Sequence, residues 1–87
     1  MRTTWKELIS SHFKETGDTW NDVEAMTLAE ADLDVTFDSG YGGSQGKPFS
    51  LWTTRRMYFP VVYDGAEWVG SAPRNPCDEA SCHHGGE

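Results

Sequence analysis

The chain has 87 residues, 37% of them hydrophobic and 13% aromatic, with a formal net charge of -7. That size holds one core with a thin stability margin, and the acidic balance argues against DNA or RNA as a direct ligand, because phosphate binding needs cations to displace counterions. No apolar run approaches the ~20 residues that span a bilayer, and charge interrupts any signal-peptide core in the opening MRTTWKELISSHFKE, so a cytoplasmic protein is expected.

Thr4-Trp5-Lys6-Glu7 has the form of a capping box, and Trp5, Leu8, Ile9 and Phe13 follow at helical spacing. Gly17 suits the left-handed residue beyond a helix end, which predicts an amphipathic helix over about residues 4–16. Residues 20–26 fit a short strand or a loop. Thr27-Leu28-Ala29-Glu30 repeats the capping form and can open one helical turn. After it Leu33, Val35 and Phe37 alternate with Asp34, Thr36 and Asp38, which predicts a strand over 33–37 with Asp34 and Asp38 on its wet face. SGYGGSQGKP predicts a loop. FSLWTT, MYFPVVY and AEWVGSA are rich in aromatic and β-branched residues, and Asp64-Gly65 between the last two is a hairpin signal. Pro60 lacks a backbone donor and should sit at an edge or a bulge. The expectation is an α+β fold: one N-terminal amphipathic helix packed on a three- to four-stranded antiparallel β-meander, with Trp5 and Trp68 in the core. A single domain over 1–76 and an irregular tail over 77–87 complete it.

The charge is segregated. Residues 15–46 carry eight carboxylates and no Lys or Arg, so the rest of the chain sums to +1. Charge runs are usually solvated surface that keeps a small protein soluble. The sharper alternative is a surface complementary to a basic partner, formed by Asp18, Asp22, Glu24, Glu30, Asp32, Asp34 and Asp38, with Tyr41 of the loop as an aromatic anchor. The EF-hand form of a calcium loop is absent.

Cys77, Cys82, His83 and His84 are ligand types suited to zinc, but adjacent histidines and a single cysteine spacing of five do not make the two separated pairs of a structural site. No metal or other cofactor is therefore assigned. Gly-Lys at 46–47 is followed by Pro48, which rules out a phosphate-binding P-loop. No nucleophile, base and orienting group can be assembled, so a non-enzymatic protein is expected, with His12 at the boundary of the helix stripe.

LDVTFDSGYGGSQGKPFSLWTTRR and MYFPVVYDGAEWVGSAPRNPC resemble small bacteriophage-encoded proteins over most of the stretch from Leu33 to Cys77. The resemblance implies an accessory protein acting against host defence, of which the anti-CRISPR proteins are the best-known class, and it transfers no functional residues. Joined to the charge segregation, it leads to the expectation of an inhibitor that docks on a basic, nucleic-acid-binding surface of a host defence complex. The alternative is a small metal-binding or structural phage accessory protein using Cys77, Cys82 and His83 or His84. Oligomeric state is not legible.

Overall fold

The computed structural model describes residues 2–38, 46–63 and 66–81, the side chain of Tyr63 excepted. Thr4 is extended, and its Oγ1 accepts from the Glu7 N–H at 3.2 Å, which satisfies one of the free donors that open helix α1, Trp5–Thr16. Glu7 accepts a hydrogen bond from Thr3 Oγ1 at 3.0 Å, which ties the helix start to strand β1, Arg2–Thr3. At the other end Gly17 takes φ 86°, a backbone that a Cβ disfavours, and its N–H returns to the Phe13 carbonyl at 2.8 Å. Trp5, Ile9 and Phe13 are buried along one stripe, with Leu8 packed beside them.

The chain then makes a 3₁₀ turn, Trp20–Asp22, before strand β2, Val23–Met26, so a strand forms where sequence left strand and loop open. A second 3₁₀ turn covers Glu30–Asp34. Here the expectation of a strand over 33–37 is corrected. Asp32 Oδ2 accepts from the Ala29 N–H at 2.9 Å, and the Ala29 carbonyl accepts from the Asp32 N–H at 2.9 Å. Such local bonds between an Asx side chain and backbone compete with strand formation. Leu33 is buried from the turn, Val35 is 58% exposed, and of this stretch only Phe37 belongs to a strand, β3, Phe37–Asp38. It pairs antiparallel with β1, Thr3 opposite Phe37.

Strands β4, Leu51–Thr53, β5, Arg56–Tyr63, and β6, Ala66–Pro73, form the expected antiparallel meander, and β2 joins its open side to give the order β2-β4-β5-β6. Pairing of β5 with β6 runs without a break from Arg56↔Pro73 to Tyr63↔Ala66, and the expected Asp64-Gly65 turn lies outside the described residues. Pairing of β4 with β5 reaches only from Trp52↔Met57 to Leu51↔Tyr58, so Pro60 falls beyond it and its missing donor costs no ladder bond on that side.

The helix packs on one face of this sheet. Trp5 is 1% exposed, stands against Phe37 and Phe49 with ring centroids 4.8 Å away, and donates its Nε1–H to the Lys47 carbonyl at 2.9 Å. Gly46 is pressed so close to it that a Cβ would meet Trp5 Cζ2 at 2.6 Å. Farther along, Phe13 makes edge contacts with Trp20 and Tyr58. Leu28, Leu33, Leu51 and Val69 complete the cluster. The expectation that Trp68 belongs to the core is corrected: it is 37% exposed, on the sheet face away from the helix.

Candidate functional site

The acidic tract is largely folded into the protein's own bonding. Asp18, which follows the helix C-cap, is 5% exposed and is no surface residue. Its Oδ2 accepts from Thr53 Oγ1 at 2.8 Å and from the Tyr58 hydroxyl at 2.5 Å, and its Oδ1 accepts from Arg55 Nη2 at 2.9 Å. Burial works to raise the Asp18 pKa, but the hydrogen bonds from Tyr58, Arg55 and Thr53, with the Arg55 charge, outweigh it and hold the carboxyl below the usual range. Burial, then the Asp18 hydrogen bond, push the Tyr58 phenol well above its ordinary value. Tyr58 also meets Thr16 Oγ1 at 2.7 Å, so one carboxylate joins the end of α1 to β4 and β5.

Three more of the expected surface carboxylates carry structural bonds. Asp22 Oδ2 accepts from the Thr19 N–H and hydroxyl at 2.9 and 3.1 Å, closing the first 3₁₀ turn. Glu24 on β2 pairs with Arg74, which also donates to the Thr53 carbonyl at 2.9 Å. Asp32 pairs with Lys47 at 3.0 Å, and the Ala29 N–H, then the Lys47 hydrogen bond, lower its pKa. Asp38 stands half-buried on β3, opposite Arg2. Asp34 and Asp38 therefore do not share a strand face.

Glu30 and Asp34 remain. Both are exposed, form no ion pair among the described residues, and line one groove of about 300 Å³ with Lys6, Ala31 and Leu33. Glu15 is also exposed, its Oε2 3.8 Å from His12 Nδ1. The fold thus reduces a run of eight carboxylates to a few solvated ones. Tyr41 lies outside the described residues.

Beside Glu15, His12 Nε2 lies 3.0 Å from Ser71 Oγ, and Arg56 Nε donates to the same oxygen at 3.1 Å. Serine, histidine and carboxylate fall in the order of a nucleophile, base and orienting group. Ser71 is 5% exposed on β6 and its oxygen is shared between the histidine and the guanidinium, so the row fastens α1 to the sheet, at the wall of a cavity of about 250 Å³ that Glu15 and Glu79 also line. Arg56 continues outward to Glu79 through two hydrogen bonds of 3.0 Å, which holds that part of the tail to β5 and lowers the Glu79 pKa.

Cys77 is an exposed thiol, while Cys82, His83 and His84 lie outside the described residues. Among the described residues no group of three His, Cys, Asp or Glu side chains could hold a metal ion. No described helix is long and apolar enough to cross a membrane.

The structural role of Asp18 is not legible in sequence, because nothing in the local pattern Gly-Asp-Thr distinguishes a buried carboxylate from a solvated one. The sheet face away from the helix, which carries Trp52, Met57, Phe59, Val61 and Trp68, was not expected either. The signal for that was present, since the run MYFPVV keeps both parities apolar, as in strands with two covered faces. No family model, curated protein or solved structure matches this chain.

Proposed function

We propose that this chain is a non-enzymatic binding protein that docks a reduced acidic surface on a basic, nucleic-acid-binding surface of a host defence complex, in the manner of several phage anti-CRISPR inhibitors. The observation that carries the reading is the exposed pair Glu30 and Asp34 on one turn, which share a groove with Lys6 yet form no ion pair among the described residues, in a chain of net charge -7. Two carboxylates that line one groove offer a seat for Lys or Arg side chains, and the surrounding negative field speeds encounter with a basic surface. Asp18 is left out of this surface by burial, and Glu24 and Asp32 contribute only field, their oxygens being shared with Arg74 and Lys47. Tyr41 is the aromatic anchor of the proposal, because buried aromatic residues carry more interface energy than rim charges.

The experiment is inhibition of DNA binding by purified CRISPR effector complexes. The wild-type chain should compete with duplex DNA for one of them, less so as salt rises, and Glu30→Lys with Asp34→Lys should abolish competition. Failure to inhibit any of a representative set, or equal inhibition by the reversed variant, would overturn the reading.

A further inference from the structure

The pair of Arg56 and Glu79 stands as a partition between two cavities. On one side lies the cavity of about 250 Å³ that His12, Glu15 and Ser71 line, and on the other a cavity of about 450 Å³ that Thr54, Arg55, Asn75 and Cys77 line, while Thr16, Arg56 and Glu79 face both. The tail therefore divides one cleft at the C-terminal end of α1. Among the described residues, the two bonds of the Glu79 carboxylate to Arg56 are the hydrogen bonds that tie residues 78–81 to the sheet, since the Glu79 N–H turns back to Cys77. With the carboxylate lifted, the cleft would open on the Arg56 guanidinium, with Ser71 and His12 behind it.

We propose that this cleft binds the phosphate group of a small molecule, and that the Glu79 carboxylate is a built-in plug which the phosphate displaces. The fork of Arg56 already grips an anion. Its Nη1 and Nη2 each hold one oxygen of Glu79 at 3.0 Å, the parallel geometry in which a guanidinium takes a carboxylate or a phosphate. Arg55 adds donors that the fold leaves unspent, because only its Nη2 is engaged, by Asp18, while its side chain is 62% exposed and lines the same cavity. The side chains of Thr54 and Asn75 line it too and form no hydrogen bond among the described residues.

Competition selects phosphate. A ligand must outdo a carboxylate tethered to the site, whose effective concentration is high, so a second carboxylate of equal charge is at a disadvantage. A phosphate monoester brings roughly two negative charges and three strong acceptor oxygens to the two guanidiniums. The cavity is of small-molecule size, and a nucleic-acid chain would meet the field of a protein of net charge -7. The site is separate from the acidic groove. That groove includes Lys6 in the first turn of α1, whereas the cleft includes Thr16 at its last residue, ~15 Å along the axis.

The test is titration of the whole chain with inorganic phosphate and with ribose 5-phosphate at constant ionic strength, followed by amide NMR in reducing buffer that protects the exposed Cys77. Signals of residues 54–56 and 77–81 should shift to saturation, and those of residues 30–34 should stay. Tighter binding of the sugar phosphate assigns the cleft to a phosphate monoester, and equal binding assigns it to the free anion. Glu79→Gln should tighten binding about two- to fivefold, the span of an exposed ion pair. Asp78→Asn removes the same charge from the neighbouring exposed residue, which forms no ion pair among the described residues, and should bind as the wild type does. Arg56→Lys keeps the charge but loses the fork, and should weaken binding about tenfold. If that variant fails to fold, the comparison of Glu79→Gln with Asp78→Asn still decides. Absence of saturable shifts with both probes, or a Glu79→Gln affinity no higher than that of Asp78→Asn, would overturn the proposal.

Discussion

The Tyr58 hydroxyl donates to Asp18 Oδ2 across 2.5 Å, joining a carboxylate just past the helix end to the second strand of the meander, 40 residues on. The Asp18 side chain is 1% exposed, whereas that of its cation Arg55 is 62% exposed, so the pair is a buried anion held by two hydroxyls and reached from solvent by one guanidinium. Removing the carboxylate takes the charged acceptor from two buried residues, leaving the Tyr58 hydroxyl only Thr16 Oγ1 and the Thr53 hydroxyl only the Arg56 backbone. Asp18→Ala should therefore cost ~2–4 kcal/mol, measured by urea denaturation at neutral pH.

The same network sets two pH limits. The folded-state pKa of Asp18 lies below that of an unfolded Asp, about 3.9, so its contribution is complete above that value and is lost as pH falls through the folded one. Tyr58 has the opposite sign. Its raised pKa gives a contribution complete below the unfolded value of about 10 and lost as pH rises through the folded one. The stability difference between wild type and Asp18→Asn should thus shrink on acidification below pH 4, and wild-type stability should fall at strongly alkaline pH. A difference that is flat from neutrality to pH 2 would contradict the network.

Trp5 and Gly46 should behave as one unit. Trp5→Ala removes a fully buried ring and should cost ~3–5 kcal/mol. In Gly46→Ala the new Cβ would stand 2.6 and 2.8 Å from two atoms of the Trp5 ring, an overpacking worth ~1–3 kcal/mol. Because the two shortest of these approaches are to the indole, and Phe37 Cζ stands at 3.0 Å, the double variant should be little less stable than Trp5→Ala alone. Additive losses in thermal melts would place the Gly46 constraint elsewhere.

Cys77→Ser should be silent. The thiol is exposed, and its one described hydrogen bond is from the Glu79 N–H at 3.4 Å, so the change in stability should stay within ~0.5 kcal/mol. A larger loss, or loss of folding with a chelator, would mean that a metal orders the tail.

What the sequence made legible follows from how local each signal is. The α1 boundaries were readable because Thr4 and Gly17 act through bonds within one turn, and the β4-β5-β6 meander because aromatic and β-branched runs are punctuated by turn residues. The strand expected at 33–37 failed because Asp32 capping the Ala29 N–H is as local as the alternation and leaves Val35 outside. Trp68 was misplaced because parity alone cannot say which sheet face receives the helix. The acidic tract was read as unopposed because its cations, Arg55, Lys47 and Arg74, lie 15 to 50 residues away and reach it only through the fold.

Glu30 and Asp34 decide the central claim, that the carboxylates left over from structural pairing are the ones that bind. The measurement is the association rate between this chain and a CRISPR effector complex, chosen by the competition experiment proposed above, at two salt concentrations, for wild type and for Glu30→Lys with Asp34→Lys. Exposed carboxylates in a like-charged region contribute little to stability, so the variant should fold normally by circular dichroism. Wild-type association should slow as salt shortens the Debye length from ~10 Å at 0.1 M toward ~3 Å at 1 M, and the variant should associate slowly at both concentrations. A wild-type rate that ignores salt, equalled by the variant, would contradict the claim and leave the acidic tract a matter of solubility and internal pairing.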